Sequence, residues 1–249
     1  VTPADCDGIV RGVADLDGWM TAAQGQRLCD AARRSGPGAR IVEIGSFRGK
    51  STVVLASAAP EAAEVIAIDP HAGTDRGPNE ISGFDEAAED DFAVFHANLN
   101  AYGLKERVHH VREFSDRAHS SVEDPIDLLY IDGAHRYRPA VTDITEWGHR
   151  VSDGGTLLIH DAFSSIGVTL AVCRRLIFGS RYRYVGRSGS LVEYRADLGP
   201  GLRVRARNSV RQMLQMGWFV RNVALKIAIT IGLGRLARRC GRREPVWPY

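Results

Sequence analysis

The chain lacks several of the signatures that would assign it a chemistry at first sight. Cys6, Cys29, Cys173 and Cys240 are scattered without paired spacing, so neither a disulfide framework nor a cysteine zinc site is expected. No apolar run is both long enough and uncharged enough to read as a transmembrane span. The glycine turn at Gly45–Gly49 lacks the full P-loop signature, although Gly49-Lys50-Ser51 superficially looks like its end, and it lacks the three glycines of a dinucleotide fingerprint. Acids are nearly missing from one end. From Pro200 to Tyr249 eleven Arg/Lys stand against one acid, Glu244, a net of +10; the whole chain carries +2, so residues 1–199 carry −8. A basic tail alone is weak evidence for nucleic acid, and no nucleic-acid partner is expected.

What is present reads as one large α/β domain over residues 1–199 with a basic, amphipathic extension over 200–249, from 249 residues of 44% apolar composition. Residues 1–18 are polar and glycine-bearing and read as irregular. Thr21 is placed to cap a helix to about Arg34, with Gln24 as capping-box partner. Trp19-Met20 before it is either a hydrophobic staple or a flap against a ligand. Arg40–Ile44 and Val65–Ile68 read as buried strands, with a helix to about Ala59 between them. A long connection from His71 to Asp85, full of turn formers, reads as a lid. A helix from about Glu86 to Tyr102, a strand Val108–Val111 and a short segment capped by Ser115 follow. Ile126–Ile131 is a near-continuous apolar strand, as expected of a central parallel strand covered on both faces. A helix to about Arg150 leads to Gly154-Gly155 and the strand Thr156–Ile159. Leu170–Phe178 reads as helical, and Arg181–Val185 with Leu191–Tyr194 as an antiparallel hairpin. The pattern predicts a doubly wound, mostly parallel sheet of seven strands, closed by that hairpin. In the tail, apolar residues from Val210 to Ile231 are interleaved with Arg211, Arg221 and Lys226. They read either as a helix packed on the body or a second subunit, or as an interfacial helix on anionic lipid reaching over residues 203–243.

The chemistry gathers at the carboxyl ends of the strands, the active rim of an open α/β sheet. Gly45 lets the backbone approach a ligand, and Asp69, at the tip of the second strand, is positioned to accept ribose hydroxyls. Glu43 inside the first strand tip would repel a phosphate and suits a cationic or phosphate-free nucleoside. Asp132 and Asp161 end strands that should be neighbours, so their carboxylates can converge and suit Mg²⁺ or Mn²⁺. His135, three residues past Asp132, can reach the same space as a general base. His160 reads as a third metal ligand, a second base or a core histidine, and His71 as a candidate for substrate contact. The plainer alternative is that Asp132 caps the next helix and His135 lies on the surface.

The stretch Val42–Thr52, with Ile131-Asp132-Gly133-Ala134-His135-Arg136-Tyr137 and Leu158-Ile159-His160-Asp161, resembles the class I S-adenosylmethionine-dependent methyltransferases. It looks most like the metal-dependent small-molecule O-methyltransferases that include macrolide-sugar methyltransferases and the cephalosporin-hydroxylase-like group. The resemblance spans roughly residues 15–195 and implies a Rossmann-like methyltransferase fold. It further implies that Gly45 and its neighbours, Ser51 included, approach the cofactor's methionine part, that Glu43 orients it, that Asp69 holds the ribose and that Ser115 lies near the adenine. Asp132, His160 and Asp161 would match the ligands of Mg²⁺ or Mn²⁺, and His135 the base that deprotonates an acceptor hydroxyl. His160 stands where such enzymes often have Glu. The polar loop with Asp75, Arg76, Asn79 and Glu80, together with His71 and Tyr137, favours a sugar or oligosaccharide acceptor over a flat phenol or a lipid-linked one. A non-catalytic, membrane-associated nucleoside-binding protein is the rival outside enzymes. With Asp5, Asp7, Arg11, Asp15 and Asp17 at its start, the chain does not open like a signal peptide. A cytoplasmic enzyme, with the tail at the inner membrane face as the alternative, and a homodimer are the expectations.

Overall fold

The computed structural model describes residues 5–72 and 85–230. Most of the expected lid, including Asp75, Arg76, Asn79 and Glu80, and the end of the basic tail lie outside the described residues.

Seven strands form one sheet: β1 (Arg40–Ile44), β2 (Glu64–Ile68), β3 (Val108–Val111), β4 (Ile126–Ile131), β5 (Val151–Ile159), β6 (Arg183–Ser188) and β7 (Leu191–Arg195). Their order is β3-β2-β1-β4-β5-β7-β6, with the first five parallel and β7 antiparallel to both its neighbours. The central strands are apolar on both sides because both faces are covered. Val42, Ile44, Leu129, Ile131, Leu157 and Ile159 face one core, under α5 (Tyr137–Glu146) and α6 (Ile166–Val172). Ile41, Leu128, Tyr130 and Leu158 face the other, under α1 (Cys6–Gly12), α2 (Ala22–Arg34), α3 (Lys50–Ala58) and α4 (Asp85–Ala101). Chain order reverses between β1 and β4. That switch point opens a crevice at the strands' carboxyl ends, and the site stands there.

Local signals set α2 as expected: Thr21 Oγ1 accepts from Gln24 N at 3.3 Å and Gln24 Oε1 accepts from Thr21 N at 2.7 Å. Three expectations are corrected. Residues 6–12 are helical, because Cys6, Ile9 and Val13 bury themselves against α2 and α3. Cys6 is bonded to Cys29 across a separation of 23 residues, with 5.8 Å between the Cα atoms; only the packing of α1 on α2 makes these two a pair. Gly154-Gly155 lies inside β5 rather than before it.

The extension forms α7 (Leu202–Met213) and α8 (Met216–Thr230), and both pack on the body through polar side chains. Strand β6 ends the sheet and would present unpaired backbone groups. Asn208 covers them: its Oδ1 accepts from Tyr184 N at 2.8 Å and its Nδ2 donates to Tyr182 O at 3.0 Å. Gln212 accepts from the Tyr194 hydroxyl at 3.0 Å. On α8, Asn222 donates to Phe163 O and Lys226 to Ser164 O, each at 3.0 Å. Met216, Trp218 and Phe219 add apolar contact. No helix among the described residues is long and apolar enough to cross a membrane.

Asn208→Leu leaves two buried backbone groups of Tyr182 and Tyr184 without partners. It is expected to destabilise the fold by about 1–3 kcal/mol, read from the urea midpoint at unchanged slope.

Candidate active site

The end of β1 and the end of β4 meet at Gly45. Its φ is +90°, and a Cβ built there would lie 2.3 Å from Asp132 O and 2.8 Å from Gly133 N. No other residue fits without moving β4. The turn beyond it is tied to β2. Asp69 Oδ2 accepts from Phe47 N at 2.8 Å and Oδ1 from His71 N at 2.7 Å. Asp69 therefore shapes the rim as well as lining it, and each carboxylate oxygen keeps a lone pair for a ligand. Among the described residues the non-glycine positions with positive φ are Phe47, His71, Asp161 and Phe163, all in turns that follow β1, β2 and β5 at this rim. Such conformations persist where the surroundings impose them, and they cluster at functional sites.

Glu43 does not line the crevice. It is buried beneath the floor, where its carboxyl accepts from the hydroxyls of Ser51 and, at 2.5 Å, Thr52 in the first turn of α3. Burial pushes its pKa up to about 8, against the pull of the two hydroxyls. At neutral pH it is largely uncharged, so it clamps α3 to β1 rather than presenting a negative charge to a ligand. Ser51 is placed likewise, away from the crevice wall.

The carboxylates and histidines of β4 and β5 do converge. His135 lines the crevice with Nε2 2.7 Å from Asp161 Oδ2. His160 is buried on the other side, Nδ1 3.1 Å from Asp132 Oδ1 and 3.7 Å from Asp161 Oδ1. Asp132 Oδ2 accepts from the Tyr130 hydroxyl at 2.9 Å. Burial alone would lower both imidazole pKa values. In His135 the contact and charge of Asp161 outweigh it and the pKa is raised. In His160 the charges of Asp132 and Asp161 outweigh it and the pKa reaches about 10, which makes His160 an internal cation. Asp161 is held well below the usual carboxylate range: burial opposes this, but His160 and His135 prevail. The four groups form alternating carboxylate–imidazole contacts. Among the described residues no group of three or more His, Cys, Asp or Glu side chains is arranged to hold a metal ion. His135 is held in place from behind. Ser165 Oγ donates to His135 O at 3.3 Å, and Gly167 packs so closely that a Cβ would fall 2.2 Å from that oxygen.

The crevice encloses about 620 Å³, the range of cofactor and substrate sites. Ser115 lines it but caps no helix; the 3-10 turn Ala118–Ser121 has no side-chain cap, because the Ser115 hydroxyl donates to Asp143 Oδ1 at 2.6 Å. Burial raises Asp143 to about 6, the Ser115 hydroxyl opposing. Asp143 was not legible as a site residue: it lies mid-helix in α5, and only the packing of that helix turns it to the crevice. Trp19 lines the crevice, its ring 5.2 Å from that of Phe47. Met20 folds over Gly25. His71 is buried behind the rim among Phe92, Phe95 and His110 rather than on the crevice wall, and burial lowers its pKa. Tyr137 opens α5, exposed and outside the lining, between Arg136 and Arg138, which do line it. Asp75 and Arg76 lie outside the described residues.

Residues 42–162, a little under half of the chain, match a family described as "Methyltransferase domain". The fold is also that of solved structures at low identity. The O-methyltransferase NovP superposes with a TM-score of 0.58 at 18% identity, covering 72% of this chain and 83% of NovP. An O-methyltransferase from Bacillus cereus gives 0.55 at 16%, covering 79% and 93%. A putative rRNA-methylase from Clostridium thermocellum gives 0.51 at 13%, covering 72% and 97%. Residues 42–162 are thus similar to a methyltransferase domain, and the chain shares its Rossmann-like fold with these solved methyltransferases. At these identities the fold is shared by catalysts of different acceptors, so it does not itself choose one.

Gly45→Ala is expected to cost more than about 2 kcal/mol, through overlap with β4 and a strained φ, seen as a lowered denaturation midpoint. Glu43 supplies a pH signature. Its folded pKa of about 8 lies well above the ordinary carboxylate range, so the unfolded chain loses this proton first and stability falls as pH rises between the two. Glu43→Gln should flatten that decline. A difference between Tm at pH 5 and at pH 8.5 equal to that of the parent chain would refute this account of the clamp.

Proposed function

We propose that the protein transfers the methyl group of S-adenosylmethionine to a hydroxyl of a sugar or saccharide, with His135 as general base. The observation that carries the base assignment is the His135–Asp161 contact on the crevice wall, beside the Gly45 turn and Asp69. Asp69 would take the ribose diol with the lone pairs its backbone donors leave, and Ser115 and Asp143 would meet the adenine. Glu43 and Ser51 would act from below, through the first turn of α3. The Bacillus cereus neighbour is described as a complex with the demethylated cofactor, which supports placing the cofactor in this crevice. A saccharide is favoured by the polar wall of Arg136, Arg138 and Thr142 and by the polar sequence at 73–84; Trp19 and Phe47 favour the second reading, a phenolic acceptor.

The reaction balances without further reagents. The acceptor oxygen attacks the sulfonium methyl carbon, the carbon–sulfur bond breaks to leave a neutral thioether, and the hydroxyl proton passes to His135. With Nε2 turned to Asp161, Nδ1 is the ring nitrogen left for the acceptor, and Asp161 stabilises the imidazolium that forms. Much of the rate would come from holding oxygen, carbon and sulfur in line. Mg²⁺ or Mn²⁺ at Asp132, His160 and Asp161 would have to displace the carboxylate–imidazole contacts and the proton that keeps His160 cationic. The donor set as arranged among the described residues does not fit it.

Calorimetric titration with S-adenosylhomocysteine is expected to show saturable binding, weakened about 10- to 100-fold in Asp69→Ala. His135→Gln should retain that binding and lose about 10²–10⁴-fold in kcat on a saccharide acceptor. The base must be unprotonated, so the rising limb of kcat/KM should lie above the ordinary imidazole pKa and move to lower pH in Asp161→Asn. Turnover should survive EDTA; loss that Mg²⁺ restores would return the ion to the site. Failure to bind S-adenosylhomocysteine under any condition would sink the whole reading.

A further inference from the structure

Helices α7 and α8 use one face to dock and leave the other to solvent, and the exposed face has a defined composition. Asn208 and Gln212 of α7, four residues apart, turn inward. The opposite side carries Arg203, Arg207, Val210 and Leu214, at the i, i+4, i+7 and i+11 positions of one stripe, and all four are exposed. Leu214 is 73% exposed and Val210 55%. On α8, Asn222 turns inward, and Val220, Ala224 and Ile227 form the outward stripe with Arg221 beside it. Segments 166–181 and 202–230, which pack together through Ser209 Oγ on Ile177 O, hold nine Arg/Lys and no Asp or Glu. Phe178, on the first of them, is 67% exposed.

We infer that this face seats the enzyme on an anionic lipid surface, with α7 and α8 lying in the headgroup region rather than crossing it. Three observations select this occupant. The charge is uniformly positive, so a two-fold contact with a second copy would set like charge against like. Outward aliphatic side chains share the face with the arginines, which suits an acyl boundary and offers a polynucleotide few stacking groups. The helices are anchored to the body by Asn208, Gln212, Asn222 and Lys226, so the face is rigid and preformed. The inference is independent of the methyl-transfer chemistry.

Full-length protein is sedimented with phosphatidylcholine vesicles, with and without phosphatidylglycerol, and with single-stranded RNA as a competing anion. Binding is expected only with phosphatidylglycerol, weaker at high salt, and reduced about tenfold or more both in Arg203→Gln/Arg207→Gln and in Val210→Asp/Leu214→Asp. The arginine pair points outward and makes no side-chain bond among the described residues, so that variant keeps the fold assessable by Tm if the aspartate pair disturbs it. Four results would each overturn the inference. They are absence of vesicle binding, equal binding to neutral vesicles, full binding by the folded arginine variant, and RNA displacing the vesicles.

Discussion

The close approach of β1 to β4 at Gly45 is the constraint on which the site depends. Because nothing larger than hydrogen separates Gly45 from the Asp132–Gly133 peptide, the two strand ends are locked in register and the loops leaving them diverge around a crevice. Asp69 then fastens the turn after β1 to the turn after β2 through two backbone amides, and Glu43 fastens the start of α3 from below. The crevice wall is rigid because side chains hold its backbone, with conformations at Phe47, His71 and Asp161 that an isolated peptide would seldom adopt.

Charge at the rim is organised by the same closeness. Two carboxylates brought together by adjacent parallel strands would repel each other. His160 resolves this from beneath and His135 from the crevice side. The consequence is a division of labour between two imidazoles that are far apart in environment. One is buried and cationic; the other faces the crevice, where Asp161 raises its proton affinity against the effect of burial.

The C-terminal extension follows a different logic. Its inner contacts are mostly polar amides, matched to the backbone of an edge strand and to carbonyls at the end of β5. Such docking needs little apolar surface, which leaves the aliphatic residues of α7 and α8 available outside, among arginines.

Much of this was legible in the sequence because it rests on local physics. Apolar runs of four to six residues ending in Asp or Gly located the strands and the rim, the Thr21–Gln24 capping box began α2, and the glycine turn marked the switch point. Other features depended on packing. The helix at 6–12 and the Cys6–Cys29 bond form because α1 finds α2 in space, and neither residue's neighbours announce it. Glu43 sits at a strand tip and His71 in the loop after β2, and both positions suggested ligand contact. The pleat of the sheet sends Glu43 under α3, and the turn after β2 sends His71 behind the rim. His160 had three readings from sequence; its burial and its distances of 3.1 Å to Asp132 and 3.7 Å to Asp161 came only from the packing of β4 on β5. By itself the sequence determined which residues gather at the rim, because strand ends and chain order are local properties. Which of them face the crevice, which neutralise one another and which support it from below was decided only by tertiary structure, because burial and ångström-scale distances set charge and direction.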